Sequence, residues 1–191
     1  RCKVAAQQQV GGSPDHGERR AQLVRRIADE RALALVCQFE RAERAPGLPL
    51  ESPRDALILA SLVEKETAAA DERPLIAGVF VNRLRKGMRL QTDPSVIYGL
   101  GERFDGNLRR RDLEADTPYN SYARAGLPPT PIALPGAGSL QAAVRPDERG
   151  DYYFVATGDP DGSHAFSRTL AEHERAVARY LRRYRQQQTR H

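Results

Sequence analysis

The sequence is poor in the residues and patterns that mark several common classes of protein. It has only two cysteines among 191 residues, Cys2 and Cys37, which are too few for a disulfide framework and lack the spacing of a metal site. A single bridge between them stays open. No apolar run approaches the roughly 20 residues of a membrane span, and no signal-peptide pattern is present. We therefore expect a soluble chain without a targeting segment.

Familiar catalytic patterns are also absent. The sequence contains no glycine-rich phosphate motif, no internal repeat and no zinc-ligand spacing. Its four histidines are scattered, and His16 and His191 lie near the ends, so no Ser/His/Asp or Cys/His arrangement can be assembled. His164 alone falls in a plausible site, although a structural or exposed role is the commoner outcome for such a residue. The candidates for chemistry are therefore carboxylates, set among Gln, Asn, Tyr and Thr side chains that suit carbohydrate.

The composition is that of an ordinary globular protein with a basic surface. Apolar residues make up 40% and charged residues 29%, at a length that fits one domain with a core or a domain plus an appendage. The net charge of +5 permits attraction to nucleic acid, anionic lipid or an acidic polymer. Much of the basic excess comes from arginines on predicted helices at the two ends. We interpret it mainly as solvated helix faces.

One stretch, Ser52 to Ala70, predicts a helix with a carboxylate on its apolar side. Ser52 is a suitable N-cap, and Pro53 suits the first helical position. At about 100° per residue, Glu66 falls near the middle of the apolar arc, whereas Glu64 points to the far side. A carboxylate on a buried stripe must be paired, neutral or exposed in a cleft, because an unpaired buried charge is costly. The alternative is that the helix has reached its solvated end at Glu66.

Helices and one hairpin are predicted along the rest of the chain. Residues 1–16 are polar and predict a disordered tail, followed by an arginine-rich helix from Gly17 to Ala45. Asp71 can cap a further helix that stops at Gly87. Residues 102–136 are expected to form a long irregular segment with a binding role. The remaining predictions are a short helix starting at Asp93, a helix over Ser139–Val144, a hairpin of Tyr152–Thr157 and His164–Thr169, and a helix over Ala171–Arg185.

Four longer blocks of sequence carry a more specific signal. They are ASLVEKET (Ala60–Thr67), VFVNRLRKGMRLQTDPSVIYGLG (Val79–Gly101), TPYNSYARAGLPPTPIALPGAGSLQAAVRP (Thr117–Pro146) and YYFVATGDPDGSHAFSRTLAEH (Tyr152–His173). Together they resemble the catalytic domain of the endolytic murein transglycosylases, the MltG or YceG-like family. The blocks occur in the family's order and define a catalytic domain over residues 45–188. Residues 1–44 do not match the family, and residues 189–191 form a tail.

The resemblance implies a bacterial enzyme that cuts nascent peptidoglycan strands between MurNAc and GlcNAc. Cleavage would leave a 1,6-anhydro-MurNAc end, without hydrolysis, metal or cofactor, and would terminate glycan elongation. The implied fold is α+β, mostly helical, with a small antiparallel sheet. The family's catalytic glutamate precedes a threonine, which selects Glu66 and not Glu64. The implied location is the periplasmic face of the inner membrane, with cell-wall synthases as candidate partners.

A single carboxylate can serve this reaction in two roles. Protonated Glu66 would give its proton to the glycosidic oxygen, and its carboxylate would then take the proton of the MurNAc C6 hydroxyl as that oxygen closes on C1. An apolar wall that raises the pKa of Glu66 would keep it protonated for the first step. Several residues that match the family blocks are expected to bind sugar, and for each of them the alternative is a turn, cap or packing role. They are Asn82, Gln91, Thr92, Asp93, Tyr98, Tyr119, Asn120 and Tyr122, with His164 at the mouth of the hairpin.

Other interpretations of the chain remain open at this point. A catalytically silent peptidoglycan-binding or scaffold module would use the same groove, whereas nucleic-acid binding is suggested by charge alone. Full-length members of the family carry an N-terminal membrane anchor and a small LysM-like subdomain. Neither is found in this sequence, so we expect a truncated or differently started polypeptide.

Overall fold

The computed structural model describes residue 45 and residues 47–188. The predicted tails and the helix predicted from Gly17 lie outside the described residues, except for Ala45, which is irregular. None of the helices between residues 47 and 188 combines the length and apolar character needed to cross a bilayer. The helices are α1 (Pro53–Glu66), α2 (Arg73–Arg85), α3 (Asp93–Leu100), α4 (Arg110–Glu114), α5 (Ala137–Val144) and α6 (Leu170–Gln188), with a 3-10 turn at Gly101–Arg103, and the strands are β1 (Tyr153–Ala156) and β2 (His164–Ser167).

Helix α1 begins at the predicted cap and ends at Glu66. The Ser52 hydroxyl accepts a hydrogen bond from the Asp55 N–H, and the Asp55 carboxylate accepts one from the Ser52 N–H, which completes a capping box. The helix ends at Glu66 because Thr67 is extended, with φ −140° and ψ 140°, so the predicted continuation to Ala70 is wrong. Glu66 is thus the last helical residue, and it is nevertheless partly buried.

The apolar core lies between α1, α2 and α5. Leu59 and Leu62 of α1 and Ile76 and Phe80 of α2 are fully buried, and α5 packs against both of these helices. Removing each such side chain from water contributes roughly 1.5–3 kcal/mol to folding. The core therefore fixes the C-terminal end of α1 with respect to α2.

Helix α2 begins and ends differently from a simple capped helix. Its N-cap is Glu72, whose side chain makes no capping hydrogen bond, so the predicted cap by Asp71 is wrong. Gly87 lies just beyond the helix with φ +65°, a conformation that favours glycine, as predicted for the stop. The Glu72 carboxylate is left available for a contact elsewhere in the chain.

The sequence predicts an irregular segment over residues 102–136, but part of this segment is helical. The 3-10 turn extends into it and α4 lies within it, and Asn120 holds its backbone together. The helix predicted over Ser139–Val144 begins earlier, at Ala137. The rest of the segment runs as turns and bends along the side of α1 and α3.

The two strands form the predicted antiparallel hairpin. Phe154 pairs with Phe166, and Ala156 pairs with His164. The Phe154 ring meets Phe80 of α2 edge to face at 6.0 Å, while α6 packs on both strands from the other side. The sheet is therefore held between the helical core and α6. Its presence beside the helices of residues 47–188 confirms the predicted α+β class.

Candidate active site

A cleft opens where α1 ends and faces the hairpin. Its volume is about 420 Å³, within the range of roughly 300–1,000 Å³ that ligand sites usually have. Five of the residues predicted for the site line it, namely Glu66, Gln91, Asp93, Tyr122 and His164. Side chains that were not predicted complete its walls, among them Arg83, Phe154 and His173.

The environment of Glu66 makes its carboxyl group a weaker acid than an ordinary glutamate. Burial raises the pKa of Glu66 to about 7, and the negative charge of Asp93 adds to this rise. The Thr92 hydroxyl and the positive charges of His164 and Arg83 act in the opposite direction but do not cancel the effect of burial. The raised pKa expected from the apolar arc is therefore confirmed. A carboxyl group of this acidity is protonated in a large fraction of molecules at neutral pH.

Glu64 occupies a different environment on the same helix. Its carboxylate accepts hydrogen bonds from the Ser139 hydroxyl at 2.6 Å and from the Gly136 N–H at 3.0 Å, at the start of α5. These bonds lower the pKa of Glu64 and keep it ionised. Glu64 thus caps α5 and lies away from the cleft, as the helical wheel predicted when it placed the two glutamates on different sides.

One wall of the cleft is built around the start of α3. The Tyr122 hydroxyl donates a hydrogen bond of 2.6 Å to the Asp93 carboxylate, and burial together with this carboxylate raises the pKa of Tyr122. Gln91 has φ +53°, an uncommon conformation for a residue other than glycine, and its N–H donates to the Ser121 carbonyl at 3.1 Å. Strained backbone of this kind persists where the surrounding structure enforces it. Gln91 is therefore fixed in place at the cleft.

Arg83 is a cleft residue that the sequence did not reveal. Its guanidinium donates to the carbonyls of Tyr152 and Leu90, each at 2.7 Å, and so ties the strand entry to the segment before α3. It also lies 5.4 Å from the centre of the Tyr153 ring. In the sequence, Arg83 is a basic residue in the last turn of a helix, which the helix dipole alone can explain. Only its long-range contacts distinguish it.

His164 is fixed by an acidic partner, Glu72, that was not predicted from the sequence. The Glu72 carboxylate accepts a hydrogen bond of 2.7 Å from the His164 N–H and contacts the ring Nδ1 at 2.7 Å. The Thr67 hydroxyl donates to the same carboxylate at 3.3 Å. The signal available in the sequence was Glu72 beside Asp71 at a helix start, but nothing local connects it to a histidine in the hairpin.

Three of the predicted sugar-binding residues are buried outside the cleft. Asn82 donates to the Asp151 carbonyl at 3.0 Å, and Asn120 donates to backbone carbonyls of the segment around α4. The Thr92 side chain is buried beside Glu66, where its hydroxyl acts to lower the pKa of Glu66, and it does not line the cleft itself. The contacts of Asn82 and Asn120 with backbone carbonyls fit the structural alternative, and a sugar-binding role of the three residues stays a prediction.

Two predicted aromatic residues form a separate pair. Tyr98, which is 46% exposed, meets Tyr119 edge to face with ring centres 4.9 Å apart. The Tyr119 hydroxyl shares a hydrogen bond of 2.8 Å with the Thr130 hydroxyl. Neither tyrosine lines the cleft around Glu66. A direct contact of this pair with sugar stays a prediction.

The acidic and histidine side chains of the cleft are not arranged as metal ligands. In residue 45 and residues 47–188, no three His, Cys, Asp or Glu side chains come together in a group that could hold a metal ion.

Comparison with known proteins gives the chain its family. The model of the YceG-like family matches residues 14–179. The chain belongs to the YceG-like family. The match begins within residues 1–44, where the four sequence blocks gave no resemblance, and the domain boundary at residue 45 stays a prediction.

Relatives of this YceG-like chain are known from several bacteria. A protein of Bacillus subtilis (strain 168) named endolytic murein transglycosylase is 46% identical over 125 residues, which cover 65% of this chain and 34% of that protein. A protein of the same name from Streptococcus pneumoniae serotype 2 (strain D39 / NCTC 7466) is 34% identical over 131 residues, which cover 66% of this chain and 24% of that protein. The crystal structure of a YceG-like protein from Listeria monocytogenes matches with a TM-score of 0.58 and 44% identity, covering 65% of this chain and 39% of that one. The chain thus spans about a third or less of the curated relatives it matches.

Proposed function

We propose that this YceG-like chain is the catalytic part of an endolytic lytic transglycosylase that cuts peptidoglycan strands between MurNAc and GlcNAc. The observation that carries the proposal is Glu66, which lines a cleft at the end of a helix and has its pKa raised by burial to about 7. A carboxyl group that stays protonated near neutral pH can protonate a glycosidic oxygen. Relatives that carry the name murein transglycosylase support this choice of substrate.

The reaction needs one acid and an internal nucleophile. Glu66 gives its proton to the glycosidic oxygen as the bond from this oxygen to C1 of MurNAc breaks. The C6 hydroxyl oxygen of the same MurNAc then bonds to C1 and gives its proton to a basic group of the cleft, which leaves a 1,6-anhydro end. No water enters the product, so a second carboxylate that holds water is unnecessary. Asp93, whose oxygen accepts from Tyr122, is assigned to the cleft wall.

The walls of the cleft suit a sugar. Gln91 and Tyr122 offer hydrogen-bonding groups, and Phe154 offers an aromatic ring to the same cleft. Neutral polar groups beside an aromatic ring match the hydroxyls and the apolar face of a pyranose ring. Of the predicted sugar-binding residues, we therefore retain Gln91, Asp93, Tyr122 and His164 as direct contacts.

The wider role follows from this reaction. Cleavage within a nascent strand would terminate its elongation, and the substrate would place the enzyme at the periplasmic face of the bacterial inner membrane. Cell-wall synthases, which make the same strands, are the corresponding candidate partners. These statements rest on the family resemblance and on the proposed substrate.

The test is incubation of the protein with purified sacculi, followed by mass analysis of the soluble fragments. We expect anhydro ends from wild type and a loss of at least about 100-fold for Glu66→Gln, because the amide cannot donate the acid proton. Glu64→Gln is the matched control, since its amide oxygen can still accept at the start of α5, and it should keep most of the activity. Reducing ends would indicate a hydrolase, and binding without cleavage would indicate a silent wall-binding module.

A further inference from the structure

His164, the first residue of β2, is held on two sides by one carboxylate. Glu72 accepts the backbone N–H of His164 with Oε1 and contacts the ring Nδ1 with Oε2, both at 2.7 Å. The side chains of His164 and Glu72 are only 15% and 9% exposed, and Phe154 meets the imidazole edge to face at 5.6 Å. Such a ring has little freedom to turn.

This arrangement determines which ring nitrogen serves the cleft. A carboxylate next to Nδ1 favours the tautomer in which Nδ1 carries the proton, so Nε2 of the neutral ring is left with a free electron pair. His164 lines the same cleft as Glu66, and a positive charge on its ring, once protonated, favours the ionised form of Glu66. The cleft therefore contains both an acid and a histidine whose ring is oriented by Glu72.

We propose that His164, oriented by Glu72, accepts the proton of the MurNAc C6 hydroxyl while Glu66 protonates the glycosidic oxygen. This inference rests on the proposed function and assigns its base. The bond from C1 to the glycosidic oxygen breaks as the bond from O6 to C1 forms. The Glu66 proton moves to the leaving oxygen, and the O6 proton moves to Nε2, leaving a carboxylate beside an imidazolium. Transfer of that proton from His164 to Glu66 restores both groups.

The charge balance in the cleft favours a mechanism in which one side chain gives a proton and a second side chain accepts one. Ionised Glu66 is disfavoured by burial and by Asp93. If Glu66 alone gave the proton to the glycosidic oxygen and then took the proton of the C6 hydroxyl, its carboxylate would form in the cleft without a new positive charge beside it. Protonation of His164 in the same step supplies that charge, and the Glu72 carboxylate stabilises the imidazolium through Nδ1. Glu72 is thus a positioning residue, and its own contact with the Thr67 hydroxyl links it to the end of α1.

The first test is the variant His164→Ala, assayed on sacculi beside wild type. The backbone N–H bond to Glu72 does not need the imidazole, so the hairpin should keep its place and its thermal midpoint. We expect kcat to fall about 100-fold or more with KM within about threefold of wild type, because the lost group acts on the proton in the transition state. Added imidazole should restore part of the activity, and Glu72→Gln should lower kcat less. Retention of activity within about threefold in His164→Ala would overturn the assignment.

The second test separates the base from the acid. A glycan whose terminal MurNAc carries a 2,4-dinitrophenyl group at C1 has a leaving group that needs no proton. We expect Glu66→Gln to release dinitrophenol from this substrate and form the anhydro end at a rate within about tenfold of wild type, while His164→Ala does not. Loss in Glu66→Gln with full activity in His164→Ala would assign both proton steps to Glu66 and overturn the inference. Absence of any cleavage of sacculi by wild type would overturn the proposed function, and this inference with it.

Discussion

Glu64 and Glu66 are separated by one residue and meet opposite electrostatic environments. Two hydrogen bonds from the start of α5 favour the ionised form of Glu64, while burial in the cleft favours the neutral form of Glu66. The cause is the direction of each side chain from α1, since two residues along a helix turn the side chain by about 200°. Acidity in this protein is therefore set by the face of the helix.

The dependence of stability on pH should reveal this difference. The folded pKa of Glu66, about 7, lies above its ordinary value of 4.5, so ionisation destabilises the fold as pH rises between these values. Wild type and Glu66→Gln should be equally stable below pH 4.5, and above pH 7 the variant should be more stable by at most about 3 kcal/mol, since one pKa unit corresponds to ~1.4 kcal/mol. Urea denaturation at a series of pH values measures the difference.

Glu64→Gln provides the control of opposite sign. The folded pKa of Glu64 lies below 4.5, so its ionised form stabilises the fold above that pH, and this contribution is lost as pH falls through the folded pKa. The variant should therefore be less stable than wild type at pH 7. A Glu66→Gln variant that is also less stable at pH 7 would mean that a partner holds the Glu66 carboxylate ionised in the native state.

The site shows which residues a sequence can reveal. Glu66 was found because a helical wheel is local information, and the wall formed by Gln91, Asp93 and Tyr122 was found through blocks that resemble a family. Arg83 and Glu72 were missed because their roles depend on contacts with the hairpin, far along the chain. Asn82 and Asn120 show the converse, since the side-chain amide of a conspicuous polar residue can donate to backbone carbonyls away from the cleft.

Among the elements, α2 is constrained by a close backbone contact. Gly78 is buried in this helix where the chain before β1 passes over it, and the Asp147 N–H donates to the Pro74 carbonyl at 2.9 Å. A Cβ at Gly78 would overlap the carbonyl oxygen of Asp147. The glycine therefore allows the chain to approach α2 before it enters the hairpin that carries His164. The sequence predicted α2 itself well, but a glycine inside a helix does not indicate which part of the chain packs against the helix at that position.

We expect Gly78→Ala to destabilise the protein by about 1–3 kcal/mol, the usual cost of overpacking, although alanine favours a helix over glycine by about 1 kcal/mol. Gly138→Ala in α5 is the matched control, because its Cβ would meet only the end of the flexible Arg73 side chain, at 2.9 Å from Nη1. That variant should be neutral or slightly stabilising. Denaturant unfolding of both variants measures the difference, and equal stabilities would contradict the close contact at Gly78.

At the largest scale that the structure describes, residues 47–188 combine a core of α1, α2 and α5 with a more exposed hairpin and α6. The core residues of α1 and α2 are almost completely shielded from water, whereas Ala176 is the buried residue of α6 and the strands are mostly half-buried. The sequence predicted these elements because each has a strong local period. It could not predict how they meet, and the cleft exists only where the helix ends and the hairpin come together.

The bond between His164 and Glu72 joins residues 92 positions apart, which bears on when the site forms during folding. Contacts of such long sequence separation close late, because the entropy of a long loop is lost before the contact contributes. Contacts within the core between α1 and α5 are also long-range, but the hairpin and α6 are much less buried than α1 and α2, so the cleft should be the first part to open in the native state. Hydrogen exchange should accordingly be faster for the amides of β1, β2 and α6 than for those of α1 and α2, and uniform protection would contradict this order. Catalytic competence would then be lost by local opening well before the domain unfolds.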